Sequence, residues 1–205
     1  MNMKRIILGT LLLTVLGCSE DIKILEERIK AQAERNNTEI SVADIKKTAL
    51  FLDAWGKEDY YQEDINKFKD QDLIDFPEDV EVLFTGSSSI RFWNSLEEDM
   101  RPLKVLNRGF GGAHIVHVNY HFKDVVSRYN PQAIVFFCGT NDITALKTVK
   151  ETVEDFKIFQ NKVRTNLPNV PIFVIGIKPT PAREYIEEEE LEYNKLIADL
   201  AAEDE

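Results

Sequence analysis

The sequence predicts an α/β fold built on a parallel sheet with helices on both faces, preceded by a helical extension. Two observations carry that expectation. Strand-like runs at Val80–Thr85, Lys104–Asn107, Ala133–Cys138 and Ile172–Ile177 are separated by helix-like segments, among them Ile115–Tyr129 and Val149–Leu167. The runs are also nearly continuously apolar instead of alternating, which is the pattern of strands buried on both faces.

The elements follow in chain order. Lys4 and Arg5 precede a short apolar core, Ile6 to Leu16, and "VLGC" closes it at Cys18. The core is too short for an ordinary membrane span and suits a secretory signal. A small residue before the cysteine resembles the bacterial lipobox, which implies cleavage after residue 17 and lipidation of Cys18. An ordinary signal with an incidental cysteine is the alternative. Residues 18–75 read as a tether and helical lead-in: Ile22, Leu25 and Ile29 stand at helical spacing. Ser41 is a capping-type residue ahead of a helix that offers Ala49, Leu50, Leu52 and Trp55 for packing. From residue 76 the strand–helix alternation begins and runs to residue 205.

Composition removes several classes of function. With 25 basic and 36 acidic residues the net charge is −11, and no basic tract is present to overcome repulsion of a nucleic acid. The acidic run Glu187–Glu190 reads as a solvated helix face. Cys138 is the second of two cysteines and follows Phe136 and Phe137 in a buried-looking run, so it reads as a small core residue.

In parallel sheets, reactive groups gather at the carboxyl ends of the strands. Those ends read Gly86-Ser87-Ser88, then Asn107-Arg108-Gly109-Phe110-Gly111-Gly112, then Gly139-Thr140-Asn141-Asp142. Taken alone, the serines could be a helix N-cap, the glycine stretch a loop and "GTND" a turn. Together they supply what acyl transfer needs. A serine attacks a carbonyl carbon, and preorganised N–H donors receive the charge that builds on the oxygen.

The stretches "VLFTGSSSIRFW", "VLNRGFGGAHI" and "VFFCGTNDI" closely resemble the first three conserved blocks of the SGNH hydrolases, also called the GDSL esterase family. The likeness begins upstream at "INKFKDQD" and continues through "NLPNVPIFVIGIKPTPAR", covering roughly Ile65 to Glu205. It implies a three-layer flavodoxin-like domain over residues 76–205. It also implies that Ser88 is the nucleophile with its own N–H as one oxyanion donor, and that Gly112 and Asn141 supply the others. Ser87 stands where many members have Asp, as is common in the GSSS-type subgroup. The resemblance implies hydrolysis of an ester through an acyl-serine intermediate, with no cofactor. A carbohydrate acetyl ester, a lipid ester and a thioester are all candidate substrates. With the lipobox it places the protein at a bacterial cell envelope, touching the membrane only through its N-terminal lipid.

The family's last block, Asp-x-x-His, has no counterpart here. The histidines, His114, His117 and His121, all precede the third block, so the sequence reads as C-terminally truncated. The chain is then either an incomplete copy of an active enzyme or an inactive envelope binding module of the same fold. The three histidines share one face of a helix. They could form a metal cluster, a stand-in base at His114, or a polar face, and the polar face is the reading the sequence favours.

Overall fold

The computed structural model describes residues 6–203, with side chains from Glu20 onward. Lys4, Arg5 and the side chain of Cys18, on which the export and lipidation expectation rests, lie outside the described residues. The chain divides into two compact units, residues 1–57 and 58–205.

The first unit is a helical pair, α1 (Ile6–Arg35) and α2 (Val42–Trp55). Ser41 starts α2 as the sequence predicts: its hydroxyl oxygen accepts the Asp44 N–H at 3.1 Å, satisfying one of the unpaired donors of the first turn. Ile29, Ile45, Ala49 and Leu52 are buried, whereas Leu50, expected inside, is 56% exposed. One residue beyond Ala49 the helix has turned by about 100°, away from the Ile45–Ala49–Leu52 stripe. Among the described residues no helix is long and apolar enough to cross a membrane.

The second unit begins with α3 (Gln62–Ile74), followed by β1 (Val82–Gly86), α4 (Ser88–Arg91), α5 (Leu96–Asp99) and β2 (Val105–Gly109). After these come α6 (Ile115–Tyr120), α7 (Phe122–Val125), a 3-10 turn at Ser127–Tyr129, β3 (Ala133–Phe137), α8 (Thr140–Thr144) and α9 (Val149–Asn166). β4 (Ile172–Val174), a 3-10 segment at Pro181–Ile186 and α10 (Glu187–Glu203) complete it. The four strands pair in parallel in the order β2-β1-β3-β4, so the α/β expectation holds.

Because side chains alternate across a strand, the sheet feeds two cores. Leu83, Ile134 and Phe136 face a large cluster with Val118, Phe122, Phe156 and Phe159. Phe84 faces the other side with Ile90 and Leu96, and Val82, Val105 and Val135 pack around them.

Two expected elements differ. The segment 115–129 is interrupted at His121, where ψ of 13° ends α6, and the ring lodges against Phe110 and Tyr120. The last strand stops at Val174 because Ile177 leaves the sheet: its N–H donates to Asn194 Oδ1 at 2.8 Å, and its carbonyl accepts from Asn194 Nδ2 at 2.7 Å. A side chain of α10 thus satisfies the backbone that a longer strand would have paired.

A buried ionic knot ties α3 to β2. Asp72 accepts from Arg108 Nη2 at 2.6 Å and from the Tyr129 hydroxyl at 2.6 Å, and Arg128 lies 3.5 Å away. The Arg108 guanidinium also lies over the rings of Phe68 and Tyr129. Burial, then the bond to Asp72, pushes the Tyr129 phenol up to about 12, so it stays a donor.

Candidate active site

The site is assembled from three strand ends that lie side by side. Gly86 is in register with Gly109 on one side and Phe137 on the other. Gly86 has φ of +127°, and a Cβ there would sit 2.0 Å from the Phe137 carbonyl oxygen, so only glycine fits. Immediately beyond, Ser87 N–H donates to Phe137 O at 2.9 Å and Phe110 N–H donates to Gly86 O at 3.1 Å. The turn after β1 is therefore stitched to both neighbours.

The structure separates the roles of the serines. Ser87 holds the N-cap position of α4, buried and extended, and its hydroxyl makes no capping bond. Its carbonyl accepts from Ile90 and Arg91 N–H instead. Ser88 is the first helical residue and is half-buried. Among the described residues its hydroxyl is not used as a cap.

Asn107 fixes the distance between α4 and the second strand end. Its Nδ2 donates to Ile90 O at 2.7 Å while its Oδ1 accepts Gly109 N–H at 2.9 Å. The resulting approach is so close that a Cβ on Gly109 would meet Arg91 N at 2.5 Å. The sequence reading placed Asn107 at the end of the second strand run without a role; a polar residue closing an apolar run is the signal that could have given it one.

The glycine loop is tied to the third strand end through Ala113. Its carbonyl accepts from Asn141 Nδ2 at 3.1 Å and from Cys138 Sγ at 3.1 Å. An amide NH₂ carries two donors, and one N–H of Asn141 positions the loop. Burial pushes the Cys138 thiol up, which keeps it a protonated core donor. The carboxylate oxygens of Asp142 accept Ile115 N–H, each at 3.2 Å, holding the start of α6. Lys147 bridges Asp142 at 3.4 Å and Asp155. Behind this strand end the Tyr193 ring of α10 lies 3.0 Å from where a Gly139 Cβ would be.

Gly112 lies in the same loop. Its N–H donates to the hydroxyl oxygen of Tyr61 at 2.9 Å. Tyr61, the residue before α3, went unnoticed in the sequence, where nothing local links it to a glycine fifty-one positions later.

The histidines form a packed polar group. His117 Nδ1 accepts His114 N–H at 2.8 Å, and the two rings stack at 4.9 Å. Burial first, then His117 and Lys147, drives His114 down to about 2. An imidazole of such low proton affinity is poorly suited to take a serine's proton near neutral pH. Burial also lowers His121. Among the described residues no three His, Cys, Asp or Glu side chains converge to hold a metal. Beside the glycine loop lies an open groove of about 480 Å³, lined by Phe68, Gln71, Arg91, Trp93, Asn107 and Phe110 among others.

A parallel sheet with glycine-bounded strand ends carrying serine and asparagine is the layout of the SGNH hydrolase fold. The profile of the GDSL-like Lipase/Acylhydrolase family matches residues 83–205, and the chain belongs to that family. No curated protein matches it in sequence. Its fold is similar to a candidate platelet activating factor from Streptococcus pneumonia, with 20% identity, TM-score 0.63, and 80% of this chain and 77% of that one covered. A GDSL-like lipase from Bacteroides thetaiotaomicron aligns at 18% identity and TM-score 0.55, covering 67% of this chain and 71% of that one. An acetyl xylan esterase aligns at 20% identity and TM-score 0.50, covering 60% and 73%. At these identities the likeness establishes the fold.

Proposed function

We propose that the second unit is a serine ester hydrolase acting through an acyl-serine intermediate, of the GSSS-type subgroup, with Ser88 as nucleophile. The Ser88 N–H, the Gly112 N–H and the second N–H of Asn141 receive the oxyanion. One observation carries this reading. The Asn141 amide is hydrogen-bonded to Ala113, next to Gly112, while the strand end bearing Ser88 is bonded to both neighbouring strand ends. Donors fixed in advance are what lower the barrier, since they need no reorganisation as charge develops. The groove beside Gly109 and Phe110 mixes aromatic and polar side chains, and none of Ser88, Gly112 and Asn141 is among its lining residues.

Burial lowers His114 so far that its imidazole is a weak proton acceptor for Ser88. Oxyanion donors and binding alone sustain roughly 10³–10⁴-fold acceleration over water in a serine hydrolase stripped of its triad. The 205-residue chain is therefore expected to hydrolyse p-nitrophenyl acetate slowly, and Ser88→Ala to abolish that activity. Ordinary esterase rates, or weak rates insensitive to Ser88→Ala, would contradict the assignment. In this reading Cys18 carries a lipid that anchors the protein at the bacterial cell envelope.

A further inference from the structure

We propose that Tyr61 is a gate on the acyl-oxygen pocket: its hydroxyl occupies the Gly112 N–H that a bound ester needs, and ester binding displaces it. The inference rests on the assignment of Gly112 as an oxyanion donor. Such a donor works at 2.7–3.1 Å from the oxyanion, and the Tyr61 oxygen stands 2.9 Å from Gly112 N. A phenolic oxygen therefore sits where the carbonyl oxygen of an ester belongs. One N–H cannot serve both at full strength.

The contact is built, not incidental. Gly111 has φ of +37°, and a Cβ on it would lie 2.0 Å from Tyr61 Cε1, so the loop is shaped around the ring. The ring also meets Phe110 edge-on at 5.6 Å and His117 at 5.0 Å. These contacts define a closed state without the help of the hydroxyl. The hydroxyl adds the bond it accepts from Gly112 N–H, and a ligand oxygen competes directly with that bond. Tyr61 is the N-cap residue of α3 and its carbonyl accepts Ile65 N–H at 3.1 Å, so the gate requires movement of its side chain alone.

Tyr61→Phe keeps the ring and removes the competitor. The test is the rate at which an alkyl fluorophosphonate modifies Ser88. In that reaction the Ser88 oxygen forms a bond to phosphorus, fluoride leaves, and the hydroxyl proton passes to water. The phosphoryl oxygen must enter the same pocket. A neutral hydrogen bond contributes about 0.5–1.5 kcal/mol, so Tyr61→Phe should accelerate modification by about two- to tenfold. Intact mass follows the adduct, peptide mapping locates it, and Ser88→Ala should remove it in both backgrounds. An unchanged or slower rate on Ser88 in Tyr61→Phe overturns the gate and leaves the nucleophile assignment standing. A slower rate would mean that the Tyr61 hydroxyl is itself a required donor. No adduct on Ser88 in either protein overturns both readings. A ¹⁵N–¹H spectrum gives a second readout: the Gly112 amide resonance should move in Tyr61→Phe while that of Gly176 stays in place. A stationary Gly112 resonance counts against the contact.

Discussion

Replacing Asp72 by alanine tests whether the knot between α3 and β2 holds the candidate site together. The carboxylate is fully enclosed, its side chain 1% exposed, and that of Arg108 is 7% exposed. Removing Asp72 deprives Arg108 Nη2 of its acceptor at 2.6 Å and the Tyr129 hydroxyl of its acceptor at 2.6 Å. The guanidinium keeps its bonds from Nε to the Tyr129 hydroxyl at 2.8 Å and from Nη1 to the Asn107 carbonyl at 3.1 Å, but both acceptors are neutral. Deleting one partner of such a pair typically costs about 3–5 kcal/mol, mostly because a buried charge is left uncompensated. That is a large share of the stability of a single domain. Urea unfolding followed by circular dichroism should show this loss for Asp72→Ala. The double variant Asp72→Leu, Arg108→Met should recover most of it, since both charges are then gone. A loss below about 1 kcal/mol for the single variant would refute the reasoning. So would a double variant less stable than the single.

Two further outcomes are expected. Burial pushes the Asp142 carboxyl up to about 7, against the pull of Lys147. The unfolded chain releases that proton near pH 3.9, so between about pH 4 and pH 7 the folded state binds more protons. This contribution is therefore full below about pH 4 and is lost as pH rises toward 7. Asp142→Asn should flatten that part of the melting-temperature profile, and parallel profiles for wild type and variant would contradict it. For the N-terminus, a bacterial host fed radiolabelled fatty acid should label the full-length chain and not Cys18→Ala. Equal labelling of the two would refute lipidation at Cys18.

The parts legible in the sequence were those governed by local chemistry. Continuous apolar runs marked β1, β2 and β3, and Ser41 marked the start of α2, because burial and capping depend on neighbouring residues. The rest depended on residues distant in the chain. Asn194 decides where β4 ends, from twenty positions beyond Val174. Asn107 sets the spacing of α4 from β2, and its two bonds appear only when the turn after β1 folds back. Tyr61 lies in a stretch that reads as lead-in, so its meeting with Gly112 has no sequence signal. The sequence suggested one polar helix face for the histidines, but the structure buries all three and only His117 lies within α6, because the helix begins after His114 and ends before His121.

The central claim is that Ser88 forms an acyl intermediate. Incubating the protein with p-nitrophenyl acetate, quenching in acid and mapping peptides by mass tests it most directly. The account predicts an acetyl group on Ser88 in the peptide that spans β1 and α4, absent in Ser88→Ala. Acetyl found only on lysines, or on Ser87 or Ser89 with Ser88 unmodified, would contradict it.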